Sequence, residues 1–130
     1  MKRVEHPPLA RLIEEEASRC LYCGFCEALC PTRPLGLHRG YGPRGRVNIA
    51  LMIARGEVGF SQATVESLYT CLLCGACELK CPAKIRIVDV IRAGRALYAD
   101  RAGRYSRGGS QTGTGAFLGK SVTVGVSESA

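Results

Sequence analysis

All eight cysteines of this 130-residue chain lie in two short segments that share one spacing. Each segment reads Cys-x2-Cys-x2-Cys-x3-Cys-Pro, and the two are identical at eight of twelve positions at a fixed offset of 51 residues. Residues 20–31 form the first motif, and residues 71–82 form the second motif. Cysteine thiolates at this spacing bind 4Fe-4S clusters. The sequence therefore predicts two such clusters and, with them, one-electron transfer.

The fourth cysteine of each motif is expected to bind the cluster of the other motif, as in other two-cluster domains with this spacing. The predicted ligation is therefore crossed, which means that each cluster is bound by the first three cysteines of one motif and the fourth cysteine of the other. The first cysteine set is Cys20, Cys23, Cys26 and Cys81, and the second cysteine set is Cys71, Cys74, Cys77 and Cys30. Crossing makes the two clusters neighbours. Gly24 and Gly75 should let the backbone approach each cluster closely, because glycine has no side chain.

Zinc, disulfides and purely structural clusters are the alternatives for these thiols. Zinc sites use paired Cys-x2-Cys units and have no use for a third cysteine three residues later or for a fourth before proline. Disulfides belong to secreted chains, and the first residues lack the apolar stretch of a secretory signal. Two adjacent clusters favour electron transfer over a scaffolding role.

Two arginines stand at the start of an apolar segment, in the sequence Gly42-Pro43-Arg44-Gly45-Arg46. The hypothesis is that Arg44 or Arg46 lies near a cluster and raises its reduction potential by favouring the more negative, reduced state. The alternative is a solvated helix start. His6 and His38 have no spacing that would join them to a cysteine set, so both are expected to be ordinary surface residues.

Helices must position these motifs. Apolar spacing predicts a helix over residues 8–19, with Glu14, Glu15 and Glu16 mostly on its solvated face, and a buried helix from Arg44 to Gly56.

Ser61 is a good N-cap for a short helix that ends at Tyr69. The best amphipathic stripe begins at Ile87, with Asp89, Arg92, Arg95 and Asp100 facing away from it. The residues between the first motif and Arg44 are rich in Pro and Gly, which predicts a loop.

The fold class that follows is all-α, an α-helical ferredoxin-like domain that binds two 4Fe-4S clusters. Small bacterial ferredoxins use a β-hairpin scaffold, whereas here 40 residues that contain two helices separate Cys30 from Cys71. We expect one domain over residues 1–107, followed by a flexible Gly/Ser/Thr-rich tail over residues 108–130. Only residues 122–126 of that tail have a strand-like pattern.

The basic charge of the chain has an internal explanation. The formal net charge is +7 with neutral thiols, and each oxidised cluster with four thiolates adds about −2, which leaves about +3. Because basic and aromatic residues do not alternate as in a single-strand binding groove, no nucleic-acid partner is expected. No run of about 18 apolar residues exists, so no transmembrane segment is expected. The expected location is the cytoplasm, with peripheral membrane association only through a complex.

Residues 15–100 resemble the iron-sulfur subunit of glycolate oxidase and its relatives. The motifs that carry the resemblance are Cys-x2-Cys-x2-Cys-x3-Cys-Pro-Thr, then Gly-Pro-Arg-Gly-Arg and an apolar helix, then Cys-Leu-x-Cys-x2-Cys-Glu-x2-Cys-Pro. Those relatives include lactate-utilisation proteins, the small subunit of anaerobic glycerol-3-phosphate dehydrogenase and heterodisulfide reductase subunits. The resemblance implies a helical ferredoxin domain that accepts electrons from a flavin-dependent 2-hydroxy-acid dehydrogenase subunit and passes them to a quinone or another acceptor.

The resemblance also has a limit. The longer relatives continue into cysteine-rich repeats with a Cys-Cys-Gly signature, and this sequence contains no such segment. Either the chain is a stand-alone electron-transfer subunit or it is truncated relative to those relatives. In both cases the expected role is non-catalytic electron transfer in an oxidoreductase complex, which could include a separate Cys-Cys-Gly-repeat subunit. The alternatives are a heterodisulfide-reductase-like electron-transfer subunit and an iron-sulfur redox sensor.

Overall fold

A computed structural model describes residues 7–59 and 61–108 of the chain. These residues form four α helices and four short 3-10 helices, with no strand among them. The α helices are α1 (Pro7–Ala17), α2 (Pro43–Arg55), α3 (Gln62–Tyr69) and α4 (Ile87–Gly108), and the 3-10 helices are Phe25–Leu29, Arg33–Leu35, Arg39–Tyr41 and Ala76–Lys80. The all-α expectation is confirmed. His6 and residues 109–130 of the predicted tail, including its strand-like pattern, lie outside the described residues.

Helices α1, α2 and α4 pack against one another and form the apolar core. The predicted stripe of α4 is buried, with Val90 and Leu97 fully inaccessible to solvent. Gly94 lies where α4 crosses α2, because a Cβ there would be 3.1 Å from Ala50 Cβ. Apolar side chains at helical spacing therefore explain why these three helices assemble.

Helix α2 starts and stops as its sequence predicts. Pro43 occupies its first turn, where a missing N–H costs no hydrogen bond, and Gly56 ends it in the left-handed conformation at φ 75°. Gly45 is required for a different reason. A Cβ at Gly45 would lie 2.1 Å from the carbonyl oxygen of Arg39, so the 3-10 helix Arg39–Tyr41 can pack on α2 only at a glycine.

Helix α3 is capped as predicted and is fastened to α4. The Ser61 hydroxyl accepts a hydrogen bond from Thr64 N at 3.2 Å. The Tyr98 hydroxyl accepts from Ser61 N at 3.1 Å, so a residue of the α4 stripe also holds the start of α3. No helix within the described residues is long and apolar enough to cross a membrane.

Two charged residues differ from the sequence-based expectation. Arg95 was expected to face away from the core, but its guanidinium folds onto the end of α3 and donates to Leu68 O at 2.8 Å and to Cys71 O at 2.6 Å. A long side chain can satisfy carbonyls that the last turn of a helix leaves without partners. Glu16 was expected on a solvated face, but it is largely buried and accepts a hydrogen bond from Arg86 N at 3.0 Å.

Candidate iron-sulfur site

The two cysteine motifs fold in the same way. Tyr22 and Leu73 both have positive φ angles, 54° and 56°, and Gly24 and Gly75 follow at 81° and 76°. Each glycine is succeeded by a five-residue 3-10 helix. Glycine adopts positive φ without strain, whereas for bulky residues such as tyrosine and leucine it is uncommon. The repeat in the sequence is therefore a repeat of the backbone, down to a strained position that sequence reasoning missed.

Helices deliver the start of each motif. Cys20 follows α1 and donates its N–H to Ala17 O at 3.1 Å, which continues the last turn of that helix. Cys71 follows α3, whose end Arg95 holds. The two 3-10 helices of the motifs, Phe25–Leu29 and Ala76–Lys80, then pack directly against each other. This contact carries the fourth cysteine of each motif to the side of the other motif.

Two separate cavities open between the motifs and the helices, and each contains four cysteines. Cys20, Cys23, Cys26 and Cys81 line the first cavity. Cys30, Cys71, Cys74 and Cys77 line the second cavity. The structure thus brings together each predicted set, with three cysteines from one motif and the fourth from the other. His38 is exposed and lines neither cysteine cavity, as expected for a surface residue.

The two sets have matched exposure to solvent. In each set one cysteine is exposed, one is buried and two are intermediate. Cys23 and Cys74 are the exposed members, at equivalent positions of the motifs. An apolar side chain from a core helix also lines each cavity. Val47 of α2 lines the first cavity, and Ile91 of α4 lines the second cavity.

Arg44 lies at the first cavity. Its guanidinium donates to Tyr22 O at 2.8 Å and pairs with the Glu27 carboxylate at 3.2 Å. It also packs against Gly24, where a Cβ would be 3.1 Å from Arg44 Nη1. Arg44 Nε is buried and has no hydrogen-bond partner among the described residues. Such a donor fits a cavity that receives a group with acceptor atoms.

Arg46 lies at the second cavity and is 1% exposed. It donates to Ser67 O at 2.6 Å and to Thr70 Oγ1 at 2.9 Å, and its Nη1 is 3.7 Å from Cys30 Sγ. The alternative of a solvated helix start is therefore wrong for Arg46. A buried guanidinium needs a negative partner, and iron-bound thiolates would supply one.

The thiol pKa values show how the fold treats these side chains without iron. Burial raises the pKa of Cys26 to about 11 and that of Cys77 to about 12, with the neighbouring Glu27 and Glu78 carboxylates adding to each shift. Burial also acts on Cys30, but hydrogen bonds from Thr32 and Arg46 outweigh it and lower the pKa of that thiol. Because iron binds thiolates, binding must release protons from the buried cysteines.

The donor set fits a cluster better than a single ion. Within residues 7–59 and 61–108, no three His, Cys, Asp or Glu side chains converge closely enough to hold one metal ion. The ligands of a cubane sit at its four corners, further apart than the ligands of one tetrahedral zinc. Four thiols around a cavity, with an arginine beside it, meet that wider requirement in both places.

Residues 16–85 match the family described as 4Fe-4S dicluster domain. The chain belongs to this family. Its cofactor is therefore the 4Fe-4S cluster, as the cysteine spacing predicts. The matched range includes both motifs and all of α2 and α3.

Named relatives agree with this dicluster family assignment. The glycolate oxidase iron-sulfur subunit of Escherichia coli (strain K12) is 34% identical over 97 residues, which are 73% of this chain and 24% of that protein. A subunit of the H(2):CoB-CoM heterodisulfide,ferredoxin reductase of Methanothermobacter thermautotrophicus is 30% identical over 78 residues, 58% of this chain and 37% of that protein. The chain thus spans about a quarter to a third of the length of these relatives. No solved structure matches it significantly.

Proposed function

We propose that this dicluster domain holds two 4Fe-4S clusters with crossed ligands and relays electrons within an oxidoreductase complex. The single observation that supports this best is the pair of cavities, each lined by three cysteines of one motif and the fourth cysteine of the other. The clusters would supply one-electron oxidation and reduction. The chain's own residues would bind them, exclude water with Val47 and Ile91, and set their charge environment with Arg44 and Arg46.

The electron donor that we propose is a flavin-dependent 2-hydroxy-acid dehydrogenase subunit of the glycolate or lactate type, with a quinone or another acceptor downstream. The relative from Escherichia coli is named as a subunit of glycolate oxidase, which supports a partner of this class. The motifs also expose large apolar side chains, among them Phe25 at 63% and Leu79 at 78%. These two side chains belong to the 3-10 helices that pack against each other, and exposed apolar side chains of this size fit a contact with another protein.

A heterodisulfide-reductase-like role is the second candidate, with a Cys-Cys-Gly-repeat subunit as partner. The observation in its favour is that the chain matches a larger share of the heterodisulfide reductase relative, 37% of its length, than of the glycolate oxidase relative, 24% of its length. Reduction of the iron-loaded chain by a purified flavoprotein subunit with glycolate or lactate would support the first candidate. Failure with that donor, together with oxidation by a purified Cys-Cys-Gly-repeat subunit, would support the second.

The crossed ligation can be tested with two double variants and an iron assay. Cys20→Ser with Cys81→Ser removes two ligands of one proposed cluster, so about four of about eight irons should remain. Cys71→Ser with Cys81→Ser removes one ligand from each proposed cluster, so both clusters should be impaired and much less iron should remain. If each motif instead bound its own cluster, the iron contents of the two variants would be reversed.

A further inference from the structure

We propose that Arg46 and Thr32 give the cluster bound by the second cysteine set the higher reduction potential, so that in the one-electron-reduced protein the electron resides there. This inference rests on the proposed ligation and adds an order to the two clusters. The reduced state of a cluster carries one more negative charge than its oxidised state. Positive charge and hydrogen bonds at the sulfurs therefore favour reduction.

The two cavity arginines differ in how their charge is balanced. Arg44, at the first cavity, forms an ion pair with Glu27 at 3.2 Å, which partly neutralises its positive charge, although the same carboxylate oxygen is also 4.0 Å from Arg33. Arg46, at the second cavity, is fully buried, and none of the ion pairs found within the described residues includes it. Its charge acts on the second cavity with little screening, because burial excludes water.

Hydrogen bonds to sulfur show the same asymmetry. Arg46 Nη1 is 3.7 Å from Cys30 Sγ, and Leu73 N donates to Cys71 Sγ at 3.4 Å. The Thr32 hydroxyl is 3.2 Å from Cys30 Sγ and also donates to Tyr41 O at 3.0 Å, so a cluster sulfur would share its proton with that carbonyl. All three contacts fall on the second cysteine set. In the part of the chain that the structure describes, no comparable contact reaches a sulfur of the first set.

Two other influences on potential are balanced between the cavities. Solvent exposure raises cluster potentials, but the two sets have the same numbers of exposed, intermediate and buried cysteines. A glutamate follows the third cysteine of both motifs, Glu27 in the first and Glu78 in the second. Arg46 and Thr32 are therefore the side chains that, beside the Leu73 N–H, distinguish the second cavity from the first.

The sequence repeat offers a matched pair of single variants. Thr32 follows the first Cys-Pro and lines the second cavity, whereas Ala83 stands at the equivalent position after the second Cys-Pro and lines the first cavity. Thr32→Ala removes a hydroxyl from one cluster environment, and Ala83→Thr adds one to the other. Neither change alters charge, and together they exchange the asymmetry of the repeat.

Redox titration monitored by EPR, with iron content measured in parallel, tests the proposal. The Cys20→Ser/Cys81→Ser variant, which keeps only the second set, assigns the two midpoints, and we expect it to retain the higher one. Arg46→Met should lower that midpoint potential by at least 59 mV, which is a tenfold decrease in the equilibrium constant of one-electron reduction. Arg46→Lys, which keeps the positive charge, should return the midpoint most of the way to the wild-type value. Thr32→Ala should lower the same midpoint by less, and Ala83→Thr should raise the other.

The possible results distinguish an error in the proposed order of the two potentials from an error in the crossed ligation on which that order depends. If the lower midpoint belongs to the second set, the proposed order is wrong and the ligation stands. If Thr32→Ala and Ala83→Thr at full iron content leave both midpoints unchanged, the proposed role of Thr32 is wrong. If the cysteine double variants give the reversed iron contents, the ligation itself is wrong. The two hydroxyl variants keep the test decisive should Arg46→Met fail to fold, because each changes one small side chain.

Discussion

Gly24 and Gly75 occupy equivalent left-handed positions, but only Gly24 lies against a charged side chain. A Cβ at Gly24 would be 3.1 Å from Arg44 Nη1, and a Cβ at Gly75 would be 3.9 Å from Val88 Cγ2. We expect Gly75→Ala to lower the free energy of unfolding by about 1–2 kcal/mol, which is the cost of a left-handed alanine. Gly24→Ala should cost more, because it also displaces Arg44 from Tyr22 and Glu27.

Thermal unfolding of the iron-loaded variants measures this difference. Gly59→Ala is the control, since no other atom of residues 7–59 and 61–108 is found within 4 Å of its added Cβ. Equal losses for Gly24→Ala and Gly75→Ala would show that the Arg44 contact contributes nothing to stability.

The residues at the site differ in how far the sequence predicts them. The cysteine sets, the two motif glycines and the presence of an arginine beside a cavity follow from spacing and from the Gly-Pro-Arg-Gly-Arg element. Thr32 was missed, although the difference between Cys-Pro-Thr and Cys-Pro-Ala at the ends of the two motifs was visible in the sequence. Tyr22 and Leu73 carried no signal at all, because nothing in their side chains favours a positive φ.

At the scale of helices, Glu16 of α1 stabilises the start of α4. Its carboxylate accepts a hydrogen bond from Arg86 N at 3.0 Å, next to the first turn of α4, and forms ion pairs with Arg19 and Arg86. The backbone hydrogen bond from Arg86 holds the pKa of Glu16 below its ordinary value of 4.5, despite the opposing effect of burial. A carboxyl group with a lower pKa in the folded state contributes stability above its unfolded pKa.

Glu16→Gln should therefore lower the free energy of unfolding at pH 7 by about 1 kcal/mol, since it removes charge at a helix N-terminus and in two ion pairs. The deficit should shrink as the pH falls below 4.5 through the folded pKa, because the wild-type carboxyl group then becomes neutral too. Anaerobic denaturant titrations at several pH values measure it. Glu15→Gln is the control, because the Arg11–Glu15 pair is exposed. A deficit independent of pH would rule out the charge explanation.

The helices themselves were predictable, whereas the contacts between them were not. Apolar spacing, Pro43, Gly56 and Ser61 gave all four α helices, with ends near those observed for α1, α2 and α3 and the correct start for α4. The C-terminal end of α4, at Gly108, was not predicted. The 3-10 helices inside the motifs were not predicted, since five residues between ligands carry no periodicity. The positions of Glu16 and Arg95 depend on which helices meet, and helical spacing only separates a polar face from an apolar one.

At the scale of the whole molecule, the exposed apolar side chains of the motifs predict where the proposed flavoprotein subunit binds. Phe25 is 63% exposed and belongs to the 3-10 helix that packs against the second motif. Phe25→Glu should reduce the second-order rate of cluster reduction by that subunit about tenfold, because a buried interface aromatic is often worth more than 1 kcal/mol. Stopped-flow absorbance measures the rate. Leu37→Glu, at a fully exposed leucine outside both motifs, should leave it unchanged.

Iron removal should separate the helical core from the cysteine loops. Ile13, Ala50, Val90 and Leu97 are completely buried and belong to α1, α2 and α4, and most of the core that they share consists of apolar side chains of these helices, although Cys77 and Cys81 also belong to it. The motifs hold few buried apolar side chains, and their order should come from metal-ligand bonds. After chelation, we expect most of the far-ultraviolet helical signal to remain, while backbone amides of residues 20–31 and 71–82 lose protection from hydrogen exchange. Loss of most of the helical signal would instead show that the clusters hold the three helices together, and that the apolar core is too small to fold without them.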